Sequence, residues 1–321
     1  MKRREIKSHH PSFSFSFCLS VSVSLWQFIL MKSAAHRTKR LIVNADDFGL
    51  TNGVNRAVIE GHTRGVITSA TLMANMPAFD AAVRLAKDHP SLGVGLHINI
   101  TQGRPVADAS RVSSLINDRG EFLGTTGAIL RRMLAGRLKI EEVVVELRAQ
   151  IEKAVRAGLR LTHVDSHKHT HALPRICEAI VSTIKEYGIN SVRAPRERWR
   201  FDRESESFKL ITQSAGAFGI SQLCRVSDAR LKKSDVKTPD FFFGVARTGF
   251  WTKPWLIDLI ERLPDGASEL MCHPGYDDAE LDGVKTRLRA SRANELRLLT
   301  DPGVVAKLEE NGVKLINFSG M

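Results

Sequence analysis

From Lys39 onward, short apolar runs alternate with segments whose apolar residues recur every three to four positions. Leu41 to Asp46 has the composition of a buried strand. A helix is predicted from about Asn52 to Arg64, closed by Gly65. Ile67 to Met73 is rich in strand formers, Pro77 to Lys87 reads helical, and Gly93 to Ile100 is a third strand. A helical region follows over about Thr125 to Ala157. Leu161 to Ser166 is a fourth strand, and Pro174 opens a helix ending near Gly188, proline being suited to a first helical position. Ser191 to Ala194 reads as a short fifth strand, and a sixth falls loosely between Arg198 and Gly249. The chain closes with a helix over Pro254 to Leu263, a strand over Ser268 to Cys272, a long helix over Arg287 to Leu299, a helix over Val304 to Glu310 and a strand over Val313 to Phe318. Strands alternating with helices imply βαβ units and a mainly parallel sheet. Seven or eight such units predict an α/β fold, a single distorted (β/α) barrel, with an open doubly wound sheet as the alternative. There is no internal repeat and no linker.

Residues 1–36 stand apart. A basic start, Lys2 to Lys7, precedes an apolar, serine-rich stretch from Phe13 to Leu30 and then Ser33-Ala34-Ala35. That order is the order of a signal peptide or weak membrane anchor. The competing reading is that translation begins at Met31 and the upstream residues are a mis-called start. Either way the expected domain is 37–321, and the extension is expected to make few contacts with it. The chain's net charge of +12 is uneven, because residues 1–40 hold eight Lys/Arg and one acid. The moderately basic remainder is compatible with peripheral contact with an anionic membrane surface. It carries no nucleic-acid-binding signature. None of the four cysteines forms a C-x-x-C pair, which argues against a zinc knuckle or disulfide framework and for a reducing, cytoplasmic compartment, if need be at the inner face of the membrane. A homodimer is compatible with all of this.

In parallel α/β folds, sites form at the carboxyl ends of strands, and four polar constellations fall there. Asp46-Asp47 follows the first strand. Side chains alternate along a strand, so the two carboxylates are expected to point apart, one toward a cation and one toward a proton; the bland alternative is an N-cap and turn device for the next helix. His97 lies inside an apolar strand, either as a satisfied core residue or as a ligand. His163, Asp165, His167, His169 and His171 occupy every second position and share a face while the chain stays extended. Pro174 requires the strand to end earlier, so His169 and His171 are expected in the loop and His167 at the strand tip, with Asp165 able to orient a histidine. His273 follows Cys272 at another strand end and could exchange a proton near neutral pH, or be purely structural. One aspartate and two histidines make an open site for a divalent metal that suits hydrolysis. No glycine-rich phosphate loop is present.

The runs LIVNADDFG (41–49), GVGLHINIT (93–101), THVDSHKHTH (162–171) and ELMCHPG (269–275) resemble, in order, the YdjC-like (ChbG-type) carbohydrate deacetylases. The resemblance covers about residues 39–321. It implies a distorted (β/α) barrel, one divalent metal ion (Mg²⁺ or Zn²⁺) and N-deacetylation of an acetamido sugar. By motif match, Asp47, His97 and His167 would hold the metal, Asp46 would be the general base and His273 a further active-site residue, the general acid. The chain departs from the family at Lys168, where glutamine or histidine is frequent. VRAPRE (192–197), RLRASRANEL (287–296), LTDP (299–302) and LINF (315–318) look most like the hopanoid-biosynthesis-associated branch (HpnK), which implies an N-acetylglucosaminyl hopanoid glycolipid as substrate; a chitooligosaccharide is the alternative. Two rival classes stay open: a phosphoesterase, which would more often hold two metals, and a non-catalytic carbohydrate- or lipid-binding protein.

Overall fold

Strand β1 (Lys39–Phe48) is the spine of the fold, and every residue from Leu41 onward is buried. The computed structural model describes residues 38–197 and 208–321; the expectations for residues 1–36 lie outside them. β1 pairs with β2 (Ser69–Leu72) on one side and β6 (Gly266–Cys272) on the other. β3 (Gly93–Ile98), β4 (Val164–Ser166) and β5 (Phe241–Phe243) complete the order β4-β3-β2-β1-β6-β5, with the two-residue β7 (Lys314–Leu315) on the start of β1. Every pairing between these strands is parallel. Isolated parallel bridges, Val164 to Val192, Ser191 to Lys237 and Glu197 to Phe242, carry the curled sheet on from β4 toward β5. The fold is thus the expected distorted α/β barrel. Ser191 to Ala194 forms single bridges where a strand was predicted, and the closing strand is shorter than predicted.

Helices cover the outside. Thr51 caps α1 (Asn52–Thr63), its side chain accepting from the Val54 N–H. α2 (Phe79–Asp88) follows β2. The single helical region predicted over 125–157 divides into α3 (Thr126–Leu134) and α4 (Ile140–Arg156), with Gly136 at φ 66° between them. Pro174 opens α5 (Pro174–Glu186) as expected. α6 (Phe208–Lys233) is a long helix where the sequence reading placed none. α7 (Lys253–Glu261), the short α8 (Ala279–Asp282), α9 (Ala290–Leu299) and α10 (Pro302–Glu310) finish the chain. Among the described residues no helix is long and apolar enough to cross a membrane.

Strand alternation separates two environments. On β1, Leu41, Val43 and Ala45 join the apolar core under the helices. Asn44 and Asp46 face the lumen with residues of other strands: Asn44 donates to Asp46 Oδ1 and Thr71 Oγ1, and Thr71 donates to Asp165 Oδ2. His163 Nε2 lies 3.1 Å from Asn44 Oδ1, and its ring stacks on Phe318 with centroids 3.6 Å apart. Gly95 is required there, since a Cβ on it would come within 2.4 Å of the His163 ring. The lumen of this barrel is polar here, and Asn44, Asp46, Thr71, His163 and Asp165 are tied to one another by hydrogen bonds.

Candidate metal centre

Asp46 and Asp47 sit where β1 breaks its register. Ala45 pairs with Ala70 and Phe48 with Leu72, so β1 carries one extra residue, and Asp47 adopts φ 66°. This is a β-bulge with its left-handed position filled by aspartate, one of the few side chains that tolerate it. The predicted alternation therefore fails at this point. Asp46 faces the lumen in phase with Asn44, and the bulge turns Asp47 to the same mouth. Nor are the two a helix cap, because Thr51 does that work.

Asp47, His97 and His167 converge. His97 Nε2 lies 3.5 Å and His167 Nδ1 3.1 Å from Asp47 Oδ1, and one donor atom from each residue falls within 4.8 Å of the others. Asp47 Oδ1 is buried without a hydrogen-bond partner. Ligand atoms around one ion stand roughly 3.0–3.4 Å apart for bonds of about 2.1 Å. The donor set, its spacing and the unpartnered carboxylate oxygen fit a divalent cation. His97 Nδ1 lies 2.7 Å from Asp165 Oδ1, a bond that in the neutral ring keeps the proton on Nδ1 and the Nε2 lone pair toward Asp47. Burial pushes the His97 imidazole down, but Asp165 and then Asp46 outweigh it and hold it up at about 9. Burial raises the Asp47 carboxyl, yet the Arg292 guanidinium beside it, 2.5 Å from Oδ2, holds it well below the usual range.

Asp46 is bound differently. Arg193 donates from Nη2 to its Oδ1 (2.6 Å) and from Nη1 to its Oδ2 (2.7 Å). The same guanidinium reaches Asp165 Oδ2 and Glu269 Oε1, each at 2.7 Å, all fully buried. Burial raises the Asp46 carboxyl, and Arg193 then brings it far below its ordinary value. His273 Nε2 stands 3.9 Å from Asp46 Oδ2, and burial holds this imidazole down at about 4. His273 is set by its own N–H, which donates to Glu295 Oε2 at 2.6 Å.

β4 ends at Ser166, and His167 begins a 3-10 turn in which Lys168 and His169 are left-handed. His169 and His171 are loop residues, as expected, and neither joins the Asp47 cluster; His171 Nδ1 contacts Ser166 Oγ at 2.6 Å. Arg193, Arg292 and Gln102 escaped the sequence reading as site residues. A signal existed for the first two. Arg193 interrupts a strand-like run, and Arg292 shares a helix face with the buried Glu295, Leu296 and Leu299; charges in apolar patterns need buried partners.

Residues 40–310 match the family described as YdjC-like protein. The chain belongs to the YdjC-like family. It is 41% identical over 280 residues to a carbohydrate deacetylase of Geobacillus stearothermophilus, covering 86% of this chain and 96% of that one. A human carbohydrate deacetylase is 31% identical over 292 residues, covering 86% and 89%. A protein of Enterococcus faecalis V583, provisionally described as a cellobiose-phosphate cleavage protein, superposes with a TM-score of 0.68 at 26% identity, covering 88% of this YdjC-like chain and 98% of that one.

Proposed function

We propose that this YdjC-like protein is a metal-dependent carbohydrate N-deacetylase that hydrolyses the acetamide of an N-acetylated sugar. The observation that carries the reading is the convergence of Asp47, His97 and His167 with a bare carboxylate oxygen at the barrel mouth, joined to the kinship with carbohydrate deacetylases. A divalent ion held by these three residues would acidify a water and polarise the acetyl carbonyl. Asp46 is the general base of this reading. Arg193 keeps it ionised and fixes both its oxygens in place, so it accepts a proton without first having to lose one. Its basicity is weak for the same reason, so in this reading the water's proton must be made easy to remove by the bound cation. His273 Nε2, 3.9 Å from Asp46 Oδ2, is placed to carry a proton on to the leaving amine.

The finer reading, an N-acetylglucosaminyl hopanoid glycolipid, rests on the stretches 192–197, 287–296, 299–302 and 315–318. The purified protein, loaded with Zn²⁺ or Mg²⁺, is to be incubated separately with that glycolipid and with chitooligosaccharides. Acetate release and loss of one acetyl group by mass spectrometry are the readouts. Deacetylation of the glycolipid is expected. Action on chitooligosaccharides alone would overturn the finer reading; no acetate from either, or two ions bound per chain, would count against the deacetylase itself.

A further inference from the structure

His97 is held by a carboxylate, but His167 has no such partner. Its Nδ1 faces Asp47 Oδ1, and its Nε2 lies 3.2 Å from Gln102 Oε1. We infer that Gln102 is a positioning residue of this centre, its amide oxygen accepting the His167 Nε2–H and so keeping Nδ1 bare toward the cation. The inference rests on the metal-centre reading above. The amide must present its oxygen, because a ring that gives its Nδ1 lone pair to a cation carries its proton on Nε2.

Gln102 is itself held. Asn99 Oδ1 accepts from the N–H groups of Thr101 and Gln102, both at 3.0 Å. Asn99 Nδ2 and Asn75 Nδ2 both donate to Gln102 O, at 2.7 and 2.9 Å. Gln150, buried on α4, clamps Asn99 through both its backbone groups: Oε1 accepts from Asn99 N at 3.1 Å and Nε2 donates to Asn99 O at 2.7 Å. A chain of bonds thus runs from α4 through the end of β3 to His167. A glutamine at its tip selects the tautomer without adding charge to a pocket that already holds Asp46, Asp47 and Asp165.

The test uses the full chain labelled with ¹⁵N-histidine and stripped of metal. Long-range proton–nitrogen correlation spectra report the His167 tautomer, its signal identified by its loss in His167→Asn, and Zn²⁺ affinity is measured by competition with a chelator. The wild type is expected to show Nε2–H at His167. Gln102→Ala should mix the tautomers and weaken Zn²⁺ by roughly 10–100-fold, whereas Gln102→Glu, which offers the same acceptor, should keep the tautomer and stay within about threefold or bind tighter. An unchanged tautomer in Gln102→Ala would overturn the proposal, as would equal losses of affinity in both variants, which would make Gln102 a packing residue. A wild type that binds no Zn²⁺ or Mg²⁺ would overturn the metal-centre reading and this proposal's purpose with it, while an Nε2–H tautomer lost in Gln102→Ala would still uphold the contact.

Discussion

Two neighbouring carboxylates, one bond apart in sequence, occupy opposite chemical situations. Asp46 has both oxygens engaged, by two Arg193 nitrogens and by Asn44. Asp47 has one oxygen on Arg292 and one, Oδ1, with no hydrogen-bond donor. Both are buried, and each keeps its charge beside its own arginine. The difference lies in what is left over. In the proposed reading Asp46, held on both oxygens, handles a proton, whereas Asp47 keeps an oxygen for a cation. The bulge permits this, since it points both side chains at one mouth while letting each be held from a different side.

The comparison breaks most visibly at Asp47. Asp47→Ala should lose the metal, measured by elemental analysis, and deacetylation with it; a variant that still binds an ion stoichiometrically would remove Asp47 from the ligand set. Asp46→Asn keeps the shape and removes the basicity. Its turnover should fall roughly 10²–10⁴-fold with metal content unchanged. Loss of the ion in this variant would make Asp46 a ligand, and full activity would remove it from the proton path.

The two arginines sharpen the contrast in stability. Arg193→Met strands Asp46, Asp165 and Glu269 together, at a cost on the order of 3–5 kcal/mol in denaturant unfolding. Arg292→Met strands Asp47 alone, and bound metal should offset part of its loss. Equal, metal-independent losses would contradict the distinction. The smallest effect is expected at Asn44→Ala, which leaves His163 Nε2 without its acceptor and removes one of the two donors to Asp46 Oδ1, a loss of about 1–3 kcal/mol. No change in stability there would mean that Arg193 alone holds Asp46.

Legibility in the sequence followed locality. β1, β3 and β6 were readable because a strand buried on both faces must be nearly continuous in apolar residues, and the few polar ones, Asp46, His97 and Glu269, then mark the lumen. α6 was not readable. Its apolar residues are spread around the helix, with Phe218 and Val226 exposed, and glycines 216 and 219 lie within it, so no single stripe announces it. Its neighbour, the segment 198–207, lies outside the described residues. The fifth strand failed for a related reason: the short run Ser191 to Ala194 suffices to suggest a strand, but only its neighbours decide whether it pairs as a ladder or as single bridges.

The sequence by itself determined the alternating βαβ order, the residues at the strand ends and the histidine-rich turn closed by Pro174, because periodicity, proline and glycine act over a few residues. Tertiary structure alone decided the bulge that aims Asp47, the pairing of Arg193 with three acids and of Arg292 with one, and the contact of Gln102 with His167. Those contacts join residues 28 to 245 positions apart. Their partners are chosen by which charges the closing barrel buries together, and no local pattern records that choice.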